Sequence, residues 1–265
     1  EVEFERAAFR TALLGWYAAH KRQLDWRDSG DPYHVWVSEI MLQQTRVDQM
    51  GGYFARFIAA FPTLADLAAA DESAVLKVWE GLGYYARARN MHRAARLIVD
   101  ERGGRIPDTY DELLALPGIG QYTAAAVSSI AFDRDHAVLD GNVVRVLSRL
   151  LRIEGDPRRA AVKTALIAAG QQLLQPGRAG DFNQAMMELG ATVCSPKTPQ
   201  CSHCPVNSLC SAFNNHTAPD VEDCDLCLPK TDFKPELGVT NYPRKGKKTM
   251  SRDRKSTRLN SSHQI

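Results

Sequence analysis

The chain has 265 residues, 44% of them hydrophobic and 24% charged, enough to bury one large core or two modest ones and ordinary for a globular protein. No uninterrupted apolar run approaches the roughly 20 residues of a membrane helix, which excludes a helical span as the organising feature. The net charge of +2 hides an asymmetry: residues 241–265 hold eight Lys/Arg against one Asp, leaving residues 1–240 with 25 basic and 30 acidic side chains, so overall basicity cannot argue for a nucleic-acid partner.

Taken in chain order, Phe9, Leu13, Trp16 and Tyr17 repeat at helical spacing and predict a first helix with one buried face; no signal-peptide pattern is visible there. Asp25 to Pro32 reads as a loop, and Tyr33 to Phe61 as helix interrupted near Gly51-Gly52. Thr63-x-x-Asp66 is a capping-box start, and Asp71 opens the next helix, with Gly81 just past its end. Arg87 to Val99 is helical until Gly103-Gly104, and Thr109-x-x-Glu112 opens a short helix leading into Leu116-Pro-Gly118-Ile-Gly120-Gln-Tyr122-Thr123. Asp140 heads a helix of Val143, Val144, Val146, Leu147 and Leu150; Asp156-Pro157 and Asp181 to Thr192 mark two more. No strand and no internal repeat is found, so the fold class is all-α.

After about Asn214 the periodicity stops and the composition turns polar. Residues 214–252 are expected to be a disordered connector. Residues 253–265 resemble the conceptual translation of a sequencing adapter and are excluded from fold reasoning, which implies a fragment of a longer protein.

All six cysteines fall late in the chain. Cys194-x6-Cys201-x2-Cys204-x5-Cys210 offers four thiolates in a compact loop, a donor set that suits zinc or an iron–sulfur cluster alike. Such clustering argues for ligation in a reducing, intracellular compartment rather than for structural disulfides. Cys224-x-x-Cys227 stands apart; two thiolates do not close a zinc site, and a flexible linker thiol pair is the preferred reading there.

The Gly118-x-Gly120 turn between two helices aims backbone N–H groups outward at a helix start, which suits a DNA phosphate. Glu39 lies among Val35, Trp36, Val37, Ile40, Met41 and Leu42, surroundings that raise a carboxyl pKa and keep the acid protonated. Asp140 at a helix start is expected to stay ionised. Read singly, Glu39 is a surface carboxylate and Asp140 a helix cap. Arg87, Arg89, Arg93 and Arg96, like Arg145, Arg149 and Arg152, form basic helix faces whose default is solvation, with phosphate contact for a few.

The hairpin followed by Asp140 resembles the helix-hairpin-helix and Asp signature of base-excision DNA glycosylases. Over about residues 4–213 the chain resembles the MutY family of adenine DNA glycosylases. The resemblance is carried by Trp36-Val-Ser-Glu39-Ile-Met-Leu-Gln43-Gln44-Thr45, Gly81-Leu-Gly-Tyr84-Tyr85-Ala-Arg87, the hairpin, Asp140-Gly-Asn142-Val, Phe182-Asn-Gln-Ala-Met-Met-Glu188-Leu-Gly-Ala and the cysteine run. Pro219-Asp-Val-Glu, Cys224-x-x-Cys227-Leu-Pro and Gly238-Val-Thr-Asn-Tyr-Pro-Arg-Lys look like the interdomain connector of the animal homologue.

This resemblance implies a two-lobed helical fold: a six-helix lobe over 24–133 and an iron–sulfur lobe built from 1–23 and 134–213. It implies a [4Fe–4S] cluster on Cys194, Cys201, Cys204 and Cys210, and a monomer acting on double-stranded DNA with A:8-oxoguanine or A:G mispairs in the nucleus or mitochondrion. Glu39 would protonate adenine and help activate water, and Asp140 would stabilise the sugar cation or form a transient adduct. Tyr122 would bond near the two carboxylates, and Asn142 would orient the water or a phosphate. Tyr84 would fill the gap left by the flipped base, Gln43 and Gln44 would contact the orphaned base, and Arg27 and Glu188 the adenine edge. The related endonuclease III lineage carries a strand-cutting lysine where Tyr122 stands, so the resemblance implies a monofunctional glycosylase. An endonuclease III-like pyrimidine glycosylase/lyase and a non-catalytic DNA-binding module are the rival readings. The family's C-terminal domain, which reads 8-oxoguanine, is absent from this sequence.

Overall fold

A computed structural model of the chain describes residues 5–246 except 28, 44, 46, 216 and 220–223. Among the described residues the architecture is all-α, with one isolated bridge between Gly155 and Cys227, and no helix is long and apolar enough to cross a membrane. The first helix, α1 (Arg6–His20), buries Phe9, Leu13, Leu14 and Tyr17 along one face. Pro32 starts α2 (Pro32–Leu42), whose first turn is capped by Asp31 accepting from the Tyr33 N–H at 2.8 Å. Then come α3 (Val47–Ala60), α4 (Leu64–Ala69), opened by the Thr63/Asp66 capping box, α5 (Glu72–Val78) and α6 (Ala86–Arg102), which Gly103 ends in the left-handed conformation. The hairpin joins α7 (Tyr110–Leu114) to α8 (Gln121–Phe132). Asp140 caps α9 (Gly141–Leu150), and α10 (Ala160–Leu173), α11 (Ala179–Thr192) and the short α12 (Ser211–Asn214) complete the order.

Among the described residues two large hydrophobic cores form, besides a small cluster around Tyr242. One gathers side chains from Trp26 to Val127, including Trp36, Phe57, Trp79, Met91 and Ile98. The other combines Phe9, Leu13 and Tyr17 of α1 with residues from Ala125 to Val206. Helix α8 belongs to both: Ala124 and Val127 face the first core, Ala125 and Ala126 the second. A helix apolar on all sides can be buried from both directions, which explains its lack of amphipathic pattern. Helix α2 is likewise enclosed, with Tyr33 and every residue from Val35 to Met41 buried.

Several boundaries differ from the sequence expectation. The long helical stretch breaks after Leu42, and Gly51 and Gly52 lie inside α3, because nothing requires a positive φ there. Asp156 does not cap α10; it accepts from Arg158, and the helix begins at Ala160. The chain after Asn214 is not featureless where described. Pro235–Asn241 forms two short 3-10 turns kinked at Gly238, Phe233, Val239 and Tyr242 pack with Ala212, and Glu154 accepts from Tyr242 and, at 2.7 Å, from Arg244. Sparse buried aromatics and one buried ion pair hold this segment, a pattern with no helical or strand period to reveal it. Cys224 and Cys227 are joined as a disulfide, not left as a free thiol pair. The adapter-like residues 253–265 lie outside the described residues.

Candidate active site

A cleft of about 820 Å³ lies along α8, lined by residues of both cores. Glu39, Arg27, Gln43, Tyr122, Asp140, Asn142 and Glu188 line it, together with Gly118 and Gly120 of the hairpin. Of the expected site residues, Tyr84 does not line the cleft, and Gln44 lies outside the described residues.

Glu39 is 6% exposed, projecting from the enclosed α2. Tyr122 at the start of α8 donates from its hydroxyl to Glu39 Oε2 at 2.7 Å and meets Met187 Sδ at 3.5 Å. Burial pushes the Glu39 pKa up to about 7; the Tyr122 hydrogen bond pulls against this, and the charge of Asp140 adds to it. Burial, reinforced by the Glu39 charge, also holds the Tyr122 phenol well above its ordinary range, so it remains a donor.

Asp140 accepts from the Val143 N–H at 2.7 Å through Oδ1 and from Asn142 Nδ2 at 2.9 Å through Oδ2. Asn142 is itself held by Arg145, which donates to Asn142 Oδ1, Gly190 O and Cys194 O, each at 2.7 Å. Its amide therefore braces Asp140.

In the same cleft the buried Glu188 accepts from Arg22 Nε at 2.7 Å and Nη2 at 3.1 Å, and from Arg27 Nη2 at 2.8 Å. Burial alone would raise its pKa, but the hydrogen bonds from both arginines outweigh that and hold the carboxyl below its ordinary value. Arg22 was not singled out in the sequence; its partner lies 166 positions away, and no local pattern announces it. Gln43 closes α2 and donates to Thr123 Oγ1 at 3.0 Å.

In the hairpin, Gly118 adopts φ +77°, and a Cβ there would sit 2.5 Å from Asn90 Cβ, so only glycine fits between the turn and α6. Gly120 precedes α8 in extended conformation, and no side chain caps that helix. Tyr84 stands on the loop before α6, 65% exposed and with φ +48°, a conformation that costs a bulky residue about 1–3 kcal/mol. Arg87 supports it from behind: its guanidinium lies 5.6 Å from the Tyr84 ring centre and donates to the carbonyls of Ile40, Met41, Gln43, Leu82 and Gly83. Arg87 is therefore a clamp between loop and α2 rather than a solvated charge. Arg149 is equally structural, buried and donating to Ser195 O at 2.7 Å, Pro196 O at 3.0 Å and Cys194 Sγ at 3.3 Å. Arg89, Arg93 and Arg96 are exposed.

Cys194, Cys201, Cys204 and Cys210 line one small cavity of about 30 Å³ with an apolar wall, beside Arg149. No three ligand side chains among the described residues converge on a single metal ion. The donor chemistry is four soft sulfurs around one space, which fits a multi-iron cluster whose thiolates each bind a different metal atom.

Residues 37–170, half of the chain, match the model of the HhH-GPD superfamily of base excision DNA repair proteins. Among curated proteins, the adenine DNA glycosylase of Rattus norvegicus is 46% identical over 272 residues, covering 93% of this chain and 53% of the rat protein. The chain spans about half the length of the curated relatives it matches. Among solved structures, a thermostable thymine-DNA glycosylase superposes with TM-score 0.70 at 29% identity, covering 79% of this chain and 96% of that one. A non-covalent endonuclease III–DNA complex shares the fold at TM-score 0.64 and 21% identity, over 79% of this chain and 96% of that protein. With its hairpin, its two cores and the cleft they line, the chain belongs to the HhH-GPD superfamily of base excision DNA repair proteins.

Proposed function

We propose that the chain is the glycosylase part of a monofunctional adenine DNA glycosylase, removing adenine mispaired with 8-oxoguanine or guanine in double-stranded DNA. The observation that carries this reading is a buried Glu39, its pKa raised to about 7, bonded to Tyr122 in the same cleft as a helix-capping Asp140. The adenine DNA glycosylases it resembles in sequence support the choice of base.

Breaking an N-glycosidic bond needs a proton on the leaving base and negative charge near the sugar as oxocarbenium character grows. Glu39, still protonated in a large fraction of molecules near neutral pH, delivers its proton to adenine N7. Asp140 faces the sugar carbon, as electrostatic partner or transient nucleophile, and Asn142 keeps its carboxylate in place. After departure of the base, the Glu39 carboxylate takes a proton from the attacking water. Arg27 and Glu188 hold the adenine edge. Tyr84 fills the vacated stack, Gln43 and Gln44 meet the base left behind, and the Gly118 and Gly120 N–H groups hold a phosphate. Tyr122 lacks an amine, so no Schiff base forms there and no strand is cut.

Cys194, Cys201, Cys204 and Cys210 would hold a [4Fe–4S] cluster, which serves to tie the cysteine loop to the lobe built on α1 and α9–α11. The two cores support a division into a lobe over 24–133 and one over 1–23 and 134–213. The protein acts as a monomer in the nucleus or mitochondrion. The deciding experiment is single-turnover base release from duplexes carrying A:8-oxoguanine and A:G. Glu39→Gln should abolish release while leaving duplex affinity intact, and undiminished release by this variant would refute the assignment.

A further inference from the structure

Helix α10 buries Val162, Leu166, Gly170 and Leu173 against the second core, and Lys163, one residue around the helix, is exposed. Its side chain nevertheless lines the cleft, reaching across to α8, where Nζ lies 3.5 Å from Oε1 of Gln121. Gln121 is the first residue of α8, immediately after Gly120. The two arginines of that cleft, Arg22 and Arg27, are both engaged with Glu188. Lys163, by contrast, meets no carboxylate among the described residues. An exposed ammonium with only a neutral amide for company, lining the cleft beside the hairpin, is available to an anion from outside the chain. An exposed lysine also retains enough rotamer freedom to follow a phosphate as the duplex seats.

We propose that Lys163 is a DNA-positioning residue: it contacts a backbone phosphate beside the hairpin and anchors the strand that enters the cleft from the α10 side. The inference rests on the glycosylase reading above and adds to it a contact from outside the hairpin and outside every motif of the sequence. Each phosphate neutralised by a cation contributes about −0.9 to the slope of log affinity against log salt. Losing one contact therefore flattens the slope by about 0.9. Over 50–200 mM KCl, this makes the affinity of Lys163→Gln fall about 3.5-fold less than that of the wild type.

The test is fluorescence anisotropy with a duplex carrying 2′-fluoro-deoxyadenosine opposite 8-oxoguanine, which binds without being hydrolysed. Lys163→Gln should show the flattened slope and Lys163→Arg should restore it, with thermal melting confirming that both are folded. Independently, acetylation of Lys163 in the unmodified protein, read by mass spectrometry, should drop when the duplex is added. An unchanged slope in folded Lys163→Gln, or unprotected Lys163 in the complex, overturns the inference. Wild-type protein that neither binds the duplex nor releases adenine overturns the glycosylase reading instead.

Discussion

The phenol of Tyr122 donates a 2.7 Å hydrogen bond to Glu39 across 83 positions of sequence, joining α2 to the first turn of α8. Burial dominates the proton affinity of this acid and raises its pKa to about 7, while the Tyr122 bond, by stabilising the carboxylate, pulls in the opposite direction.

The pH dependence of base release follows from its sign. The proposed reaction uses Glu39 in its protonated form, so the single-turnover rate should fall as pH rises through about 7. Tyr122→Phe removes a contact that lowers the pKa, so the alkaline limb should move to higher pH. A rate profile over pH 5–9 (the range where about 98% of the change occurs for a group near 7) checks both. A limb moving downward in Tyr122→Phe would contradict the role given to the hydroxyl.

Glu188 is a buried anion between two cations, Arg27 at 10% and Arg22 at 37% side-chain exposure. Glu188→Gln leaves the Arg27 guanidinium buried without a counter-charge. Removing one partner of a buried pair costs about 3–5 kcal/mol, and the partial exposure of Arg22 places this case at the lower end. At 2–4 °C per kcal/mol for a domain of this size, calorimetry should show Tm reduced by about 6–12 °C.

The two hairpin glycines should respond differently to alanine. Gly118→Ala meets a positive φ and a 2.5 Å approach to Asn90, and should lose roughly 1–3 kcal/mol in denaturant unfolding. At Gly120 a Cβ meets nothing within 4 Å and the backbone is extended, so stability should change by less than about 0.5 kcal/mol. DNA affinity should nonetheless fall in Gly120→Ala if the strand backbone approaches this turn as proposed.

Four cysteines around one cavity should yield protein with about four iron and four sulfide per chain and a broad visible absorbance. Serine at Cys204 should abolish that absorbance, and serine at Cys224, outside the set, should leave it intact. Colorimetric iron and sulfide assays distinguish the two.

The helical class and the caps at Thr63 and Asp140 were legible in the sequence because they are local: period, capping side chains and turn glycines act within a few residues. The burial of Glu39 was also foreshadowed, since in the run Val35 to Leu42 its only polar neighbour is Ser38 and every other residue is apolar. Where the sequence misled was in the arginines. Arg87, Arg145 and Arg149 read as charged helix faces, yet each spends its donors on backbone carbonyls of a distant segment. A guanidinium's partners are set by which loops fold over it, and nothing in its own helix encodes them. The same holds for Arg22 and for the docking of Tyr242 and Arg244 on Glu154, pairings across roughly 90 to 166 positions. Local chemistry thus determined which side chains carry acid, charge and sulfur; only the packing of two cores onto one shared helix decided which of them meet, because contact between remote residues depends on the path of the whole chain.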